Sequence, residues 1–69
     1  MYKLSPQGMK LVKQKNIRRK VATAMGVSES AVYMSVNSGG KSIATNYDAL
    51  NVLSKEGFNV EQVRELING

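Results

Sequence analysis

Apolar residues along the chain recur at helical spacing. Ile17, Val21, Ala24 and Met25 form one stripe, Ala49, Leu50 and Leu53 a second, Val60, Val63, Leu66 and Ile67 a third, and Met9, Leu11 and Val12 a shorter one. Punctuation residues divide these stripes into segments. In "SPQG", Ser5 is placed to cap a helix with Pro6 at its first position, although Gly8 inside that helix costs about 1 kcal/mol relative to alanine. Asn16 is placed to cap a second helix that ends at Gly26, and Ser28 a third that runs to about Val36. Glu29 sits in the first turn of the third helix, where a carboxylate suits the positive end of the helix dipole. With Ala31, Val32 and Val36 inward, Ser30, Tyr33, Met34 and Asn37 face outward. "NSGGKS", Asn37 to Ser42, has the composition of a turn. A fourth helix is expected from about Asn46 to Glu56, capped by Thr45 or Asn46 and stopped by Gly57, and a last one from Asn59 through Ile67. Sustained strand alternation is missing; "KSIAT" is the one place where a short strand competes. The expected fold is all-α: one domain spanning 1–69, a compact bundle of about five short helices.

Size and composition narrow the possible functions. A chain of 69 residues buries a marginal core and has little room for an enclosed pocket. It has no Cys and no His, so disulfides, thiolate nucleophiles, the usual zinc sites and imidazole acid–base chemistry drop out. Five scattered acids offer no convergent acid–base pair. We therefore expect no enzyme, cofactor, metal or small-molecule substrate. Without an apolar run of signal-peptide or membrane-spanning length, the expectation is a soluble cytoplasmic protein with no membrane partner.

The net charge of +5 is unevenly spread. Residues 1–45 hold Lys3, Lys10, Lys13, Lys15, Arg18, Arg19, Lys20 and Lys41 against Glu29 alone, whereas residues 46–69 hold Lys55 and Arg64 against Asp48, Glu56, Glu61 and Glu65. A basic half suits a polyanion, because each neutralised phosphate releases condensed counterions. It is also what a merely solvated face looks like. Clustered aromatics for stacking single-stranded bases are missing, which disfavours RNA.

The stretch "VATAMGVSESAV" joins these observations. A helix, a glycine-mediated turn and a second short helix make a helix-turn-helix, the device that presents one helix to the DNA major groove. It requires a small residue at Ala22, freedom at Gly26, a plug under the turn at Val27, and anchors at Val32 and Val36. The pattern Ala22-x-x-Met25-Gly26-Val27-x-x-Ser30-Ala31-Val32-x-x-x-Val36-x-x-Gly39-x-Lys41 resembles the helix-turn-helix of lambdoid phage Cro proteins and, more widely, the Cro/repressor (XRE) family of DNA-binding regulators. The resemblance covers Arg18 to Lys41. Beyond it, "VEQVRELING" looks like the closing helix of the all-helical repressor members.

That resemblance implies base contacts from Ser28, Glu29 and Ser30 and, one turn on, from Tyr33 and Met34. It implies phosphate contacts from Arg18 at the start of the first motif helix and from Asn37, Ser38 and Lys41 after the second; Arg19 adjoins Arg18 in the same basic cluster. The base-reading set departs from the bidentate Gln, Asn, Lys or Arg common in such readers. Glu29 can accept from a cytosine amino group or serve only the helix dipole, and Tyr33 with Met34 can touch bases or a protein partner. The expected function is a sequence-specific double-stranded DNA-binding transcriptional regulator, Cro/repressor-like and of phage or mobile-element type, acting as a homodimer on DNA. The alternative is a protein-interaction module of the same shape that uses the Tyr33/Met34 face.

Overall fold

Ser5 closes the chain on itself. Its hydroxyl accepts from the Gly8 N–H at 3.0 Å and donates to the Gln62 carbonyl at 2.6 Å, 57 residues away, while its own N–H donates to the Val63 carbonyl at 3.0 Å. The computed structural model describes residues 1–67. In order these form β1 (Tyr2–Leu4), α1 (Pro6–Val12), α2 (Lys15–Met25), α3 (Glu29–Asn37), α4 (Lys41–Ala44), α5 (Tyr47–Lys55), α6 (Val60–Val63) and β2 (Arg64–Leu66). None of the described helices is long and apolar enough to cross a membrane.

The chain is mostly helical, as its periodicity predicts, but it is not all-α. Its two ends pair as antiparallel strands, with Tyr2 opposite Leu66, Lys3 opposite Glu65 and Leu4 opposite Arg64. Each strand is three residues long, too short for alternation to register in the sequence. Lys3 and Glu65, facing each other, form an ion pair at 3.5 Å. Arg64 lies over the Tyr2 ring at 3.8 Å and donates to the Ala44 carbonyl at 3.3 Å, clasping the sheet to the end of α4.

The last helix therefore stops at Val63, well short of the expected Ile67. Arg64 already has extended backbone, Leu66 is 60% exposed and Ile67 only half-buried, so of that stripe Val63 alone is fully in the core. The Asn-Gly ending falls at residues 68–69, outside the described ones. Residues 41–44 of "KSIAT", the one candidate strand, form α4, and so a sixth helix starts inside the expected 37–42 turn. α2 begins at Lys15 with Gln14 at the cap position and no side-chain cap, so Asn16 is not its cap. Asn46 does cap α5, accepting from the Ala49 N–H at 3.0 Å.

The core is built from Leu4, Val12, Val21, Val32, Ile43, Leu53 and Val63, all fully buried, so every helix and β1 contribute to it. α5 lies against α2, and α3 packs on α2 and α4. On α2 the buried set is Ile17, Val21 and Ala22, with Ala24 and Met25 at its edge. Gly8 is no weakness in α1. A Cβ there would overlap the Val63 carbonyl oxygen, so only glycine lets α1 approach the end of α6 this closely.

Helix propensity alone says that Gly8→Ala gains about 1 kcal/mol. Here the sign reverses: crowding against a backbone carbonyl should make the variant less stable than wild type by about 1–3 kcal/mol. Urea unfolding measures it, and an alanine variant as stable as the parent would refute the close approach.

Candidate functional site

The segment from α2 to α3 is organised by its caps. Gly26 has φ +70°, and around it α2 closes with the Gly26 N–H on the Thr23 carbonyl at 3.2 Å and the Val27 N–H on the Ala22 carbonyl at 3.0 Å. This left-handed closure redirects the backbone at once. Ser28 then caps α3, its hydroxyl oxygen accepting from the Ala31 N–H at 3.1 Å. Val32 and Val36 pin α3 to the core, at 1% and 2% exposure. Two expected supports are different. Val27 is 43% exposed and does not join the core, and the turn is held by its backbone hydrogen bonds; Ala31 is exposed, since α3 is short and rests on Val32 and Val36.

At the far end of α3, Gly39 and Gly40 make the turn into α4. The Gly40 N–H donates to the Ser35 carbonyl at 2.7 Å, and the Ser35 and Ser42 hydroxyls hydrogen-bond at 2.7 Å. α3 is thus fastened at both ends with its outer face uncovered.

That face carries the sequence-predicted residues. Ser30 is exposed, Tyr33 is 45% exposed and Met34 68%. Arg18, Glu29, Ser30, Tyr33 and Met34 surround one open depression of about 470 Å³. Met34 also borders a second depression with Ala31, Ser35, Ser38, Lys41 and Ser42, so it stands on the crest between the two. Ser28 lies at the start of the ridge with its oxygen engaged in the cap, leaving its proton as the free function. Ser38 is exposed and donates its hydroxyl to the Met34 carbonyl at 3.0 Å. Asn37 and Lys41 are exposed at the end of α3 and the start of α4, and Asn37 borders neither depression.

Charge around this ridge is not evenly available. Glu29, half-buried, pairs with Arg18 at 3.6 Å and Arg19 at 3.8 Å. Arg18 also donates to the Lys13 carbonyl at 3.2 Å and lies 5.9 Å from the Tyr33 ring centroid. Lys20 pairs with Glu56. Among the described residues, no carboxylate pairs with Lys10, Lys13, Lys15 or Lys41.

Sequence reasoning missed the Arg18–Glu29–Arg19 contact, although Glu29 as the lone acid among eight cations was a signal. It also missed the Ser35–Ser42 bond, which no periodicity announces. A separate depression of about 420 Å³ borders α5 and α6 beside Tyr47, which is 87% exposed.

No protein-family model, no curated protein and no solved structure matches this chain.

The Gly26 turn yields a graded prediction. Nothing lies within 4 Å of a Cβ added there, so only the backbone conformation resists substitution. Gly26→Ala should cost about 1–2 kcal/mol in thermal unfolding, and Gly26→Asn less, because asparagine tolerates the left-handed region. The reverse order would rule out this turn geometry.

Proposed function

We propose that the chain is a sequence-specific double-stranded DNA-binding transcriptional regulator of Cro/repressor-like, phage or mobile-element type. α2 and α3 act as its helix-turn-helix, and α3 enters the major groove. The uncovered face of α3 carries this reading: a nine-residue helix fixed at both ends, with Ser30, Tyr33 and Met34 outward and cations on its flanks. Ser28 and Ser30 supply hydroxyls to base edges and Met34 an apolar contact for a thymine methyl, while Tyr33 offers both an edge and a phenol. Arg18, Arg19, Asn37, Ser38 and Lys41 supply contacts to phosphate, setting register without reading sequence.

A module of this size buries only about 600–1,000 Å² on DNA, so specific control calls for two copies with their reading helices about 34 Å apart. The body measures 30 × 24 × 18 Å, which lets two neighbouring copies meet that spacing on one face of a duplex. The exposure of Met34 and Tyr33 favours one other reading, a protein partner on the same face.

Titration of duplex DNA at several salt concentrations separates the two readings. DNA binding should weaken with a log–log slope of about −0.9 per neutralised phosphate, whereas a Tyr/Met-centred protein contact should be nearly insensitive to salt. Duplexes selected from a random pool should share a two-fold motif and bind two chains at saturation. Tyr33→Ala should relax that motif at one or two positions, and Arg18→Ala should lower affinity by a similar factor for each selected duplex. Failure to recover any motif would leave only a non-specific basic binder.

A further inference from the structure

Glu29 is the only acid among the first 45 residues, and it sits in the first turn of α3, beside the cations of α2. Its two carboxylate oxygens are divided between two arginines, Oε1 to Arg18 Nε at 3.6 Å and Oε2 to Arg19 Nε at 3.8 Å. Both distances are loose and Arg19 and Glu29 are well solvated, Arg18 less so at 23% exposure, so these contacts are weak and exchangeable for another anion. Arg18 is held further by the Lys13 carbonyl and by the face of Tyr33. The Glu29 side chain also borders the depression shared by Arg18, Ser30, Tyr33 and Met34, where a groove edge would have to seat.

We infer that Glu29 is an internal counter-ion that competes with phosphate for Arg18 and Arg19, and so holds down the electrostatic affinity of this face for duplex DNA. This rests on reading the α2–α3 face as a DNA-binding surface. On any duplex, phosphates meet arginines that are already partly neutralised. Displacing the carboxylate costs the same pairing free energy on every duplex, so Glu29 acts as an electrostatic brake that lowers phosphate affinity without reading a base. The carboxylate is suited to this because it sits in the first turn of α3, where the helix dipole holds it in place whether or not an arginine is attached.

The test is a double-mutant cycle on a random-sequence duplex, with folding of each variant checked by circular dichroism. Glu29→Gln should bind that duplex several-fold more tightly than wild type at low salt, with a log–log salt slope steeper by about 1 to 2, the signature of one or two further phosphates engaged. Glu61→Gln makes the same change in net charge on α6, away from any arginine pair among the described residues, and should give a much smaller gain. In an Arg18→Gln/Arg19→Gln background the gain from Glu29→Gln should fall to the level of that control. An equal gain in both backgrounds would make Glu29 a simple repulsive charge and overturn the inference, as would no gain at all. If wild type binds no duplex while Glu29→Gln does, the counter-ion role stands and the proposed function of the natural chain falls. If neither binds, both fall.

Discussion

The tie between Ser5 and the carbonyls of Gln62 and Val63 is the constraint from which the rest of the molecule follows. It joins residues 57 positions apart in a chain of a size that buries only a marginal core. Ser5 is buried, and its polar atoms all find partners, so the junction carries no unsatisfied group. One residue earlier, Leu4 donates its N–H to the Gly39 carbonyl at 3.0 Å and packs its fully buried side chain against Gly40. The closure of the chain ends is therefore transmitted, within two residues, to the turn that terminates α3.

α3 itself is an economical element. It sends only Val32 and Val36 into the core and is otherwise held at its ends, by the Gly26 closure and the Ser28 cap on one side and by the Gly40 and Ser42 hydrogen bonds on the other. A helix fastened in this way has an outer face on which substitutions cost little stability, since none of Ser30, Tyr33, Met34 or Asn37 is buried. Under the proposed function, recognition and folding fall to different residues of the same short segment. Glu29 is the exception: it serves the dipole of α3 and the charge state of α2 together.

Local signals in the sequence correspond closely to local features of the structure. The Ser28 and Asn46 caps, the Gly26 stop, and the buried Ala49, Leu50 and Leu53 are all where periodicity and capping chemistry put them, because each depends on neighbours within one helical turn. Features that depend on distant partners were not legible. The β1–β2 pair exists because Tyr2–Leu4 finds Arg64–Leu66, and the glycine at position 8 is explained only by Val63. α4 was missed for a different reason: four residues are too few to display a period. At the candidate site, exposure of Tyr33 and Met34 followed from the stripe of α3, whereas Val27 did not sit under its turn, and the pairing of Glu29 with two arginines needed the fold of α2 against α3.

The remaining charge pattern bears on how such a surface would have to work. Glu56 and Glu65 pair with Lys20 and Lys3, and Glu29 with Arg18 and Arg19, so the side-chain cations left without a paired acid among the described residues are five lysines, Lys10, Lys13, Lys15, Lys41 and Lys55, and Arg64. Lysine binds phosphate as a point charge without directional pairing, which contributes affinity but little discrimination. Apart from the Asn37 amide at its end, the outer face of α3 offers hydroxyls, an aromatic ring and a thioether in place of the amide and guanidinium groups that form bidentate pairs with bases. Under the proposed function, discrimination by one copy is then intrinsically shallow. It has to be recovered by requiring two helices to fit at once, because each fit multiplies the penalty for a wrong sequence while the lysine contacts stay the same on every duplex.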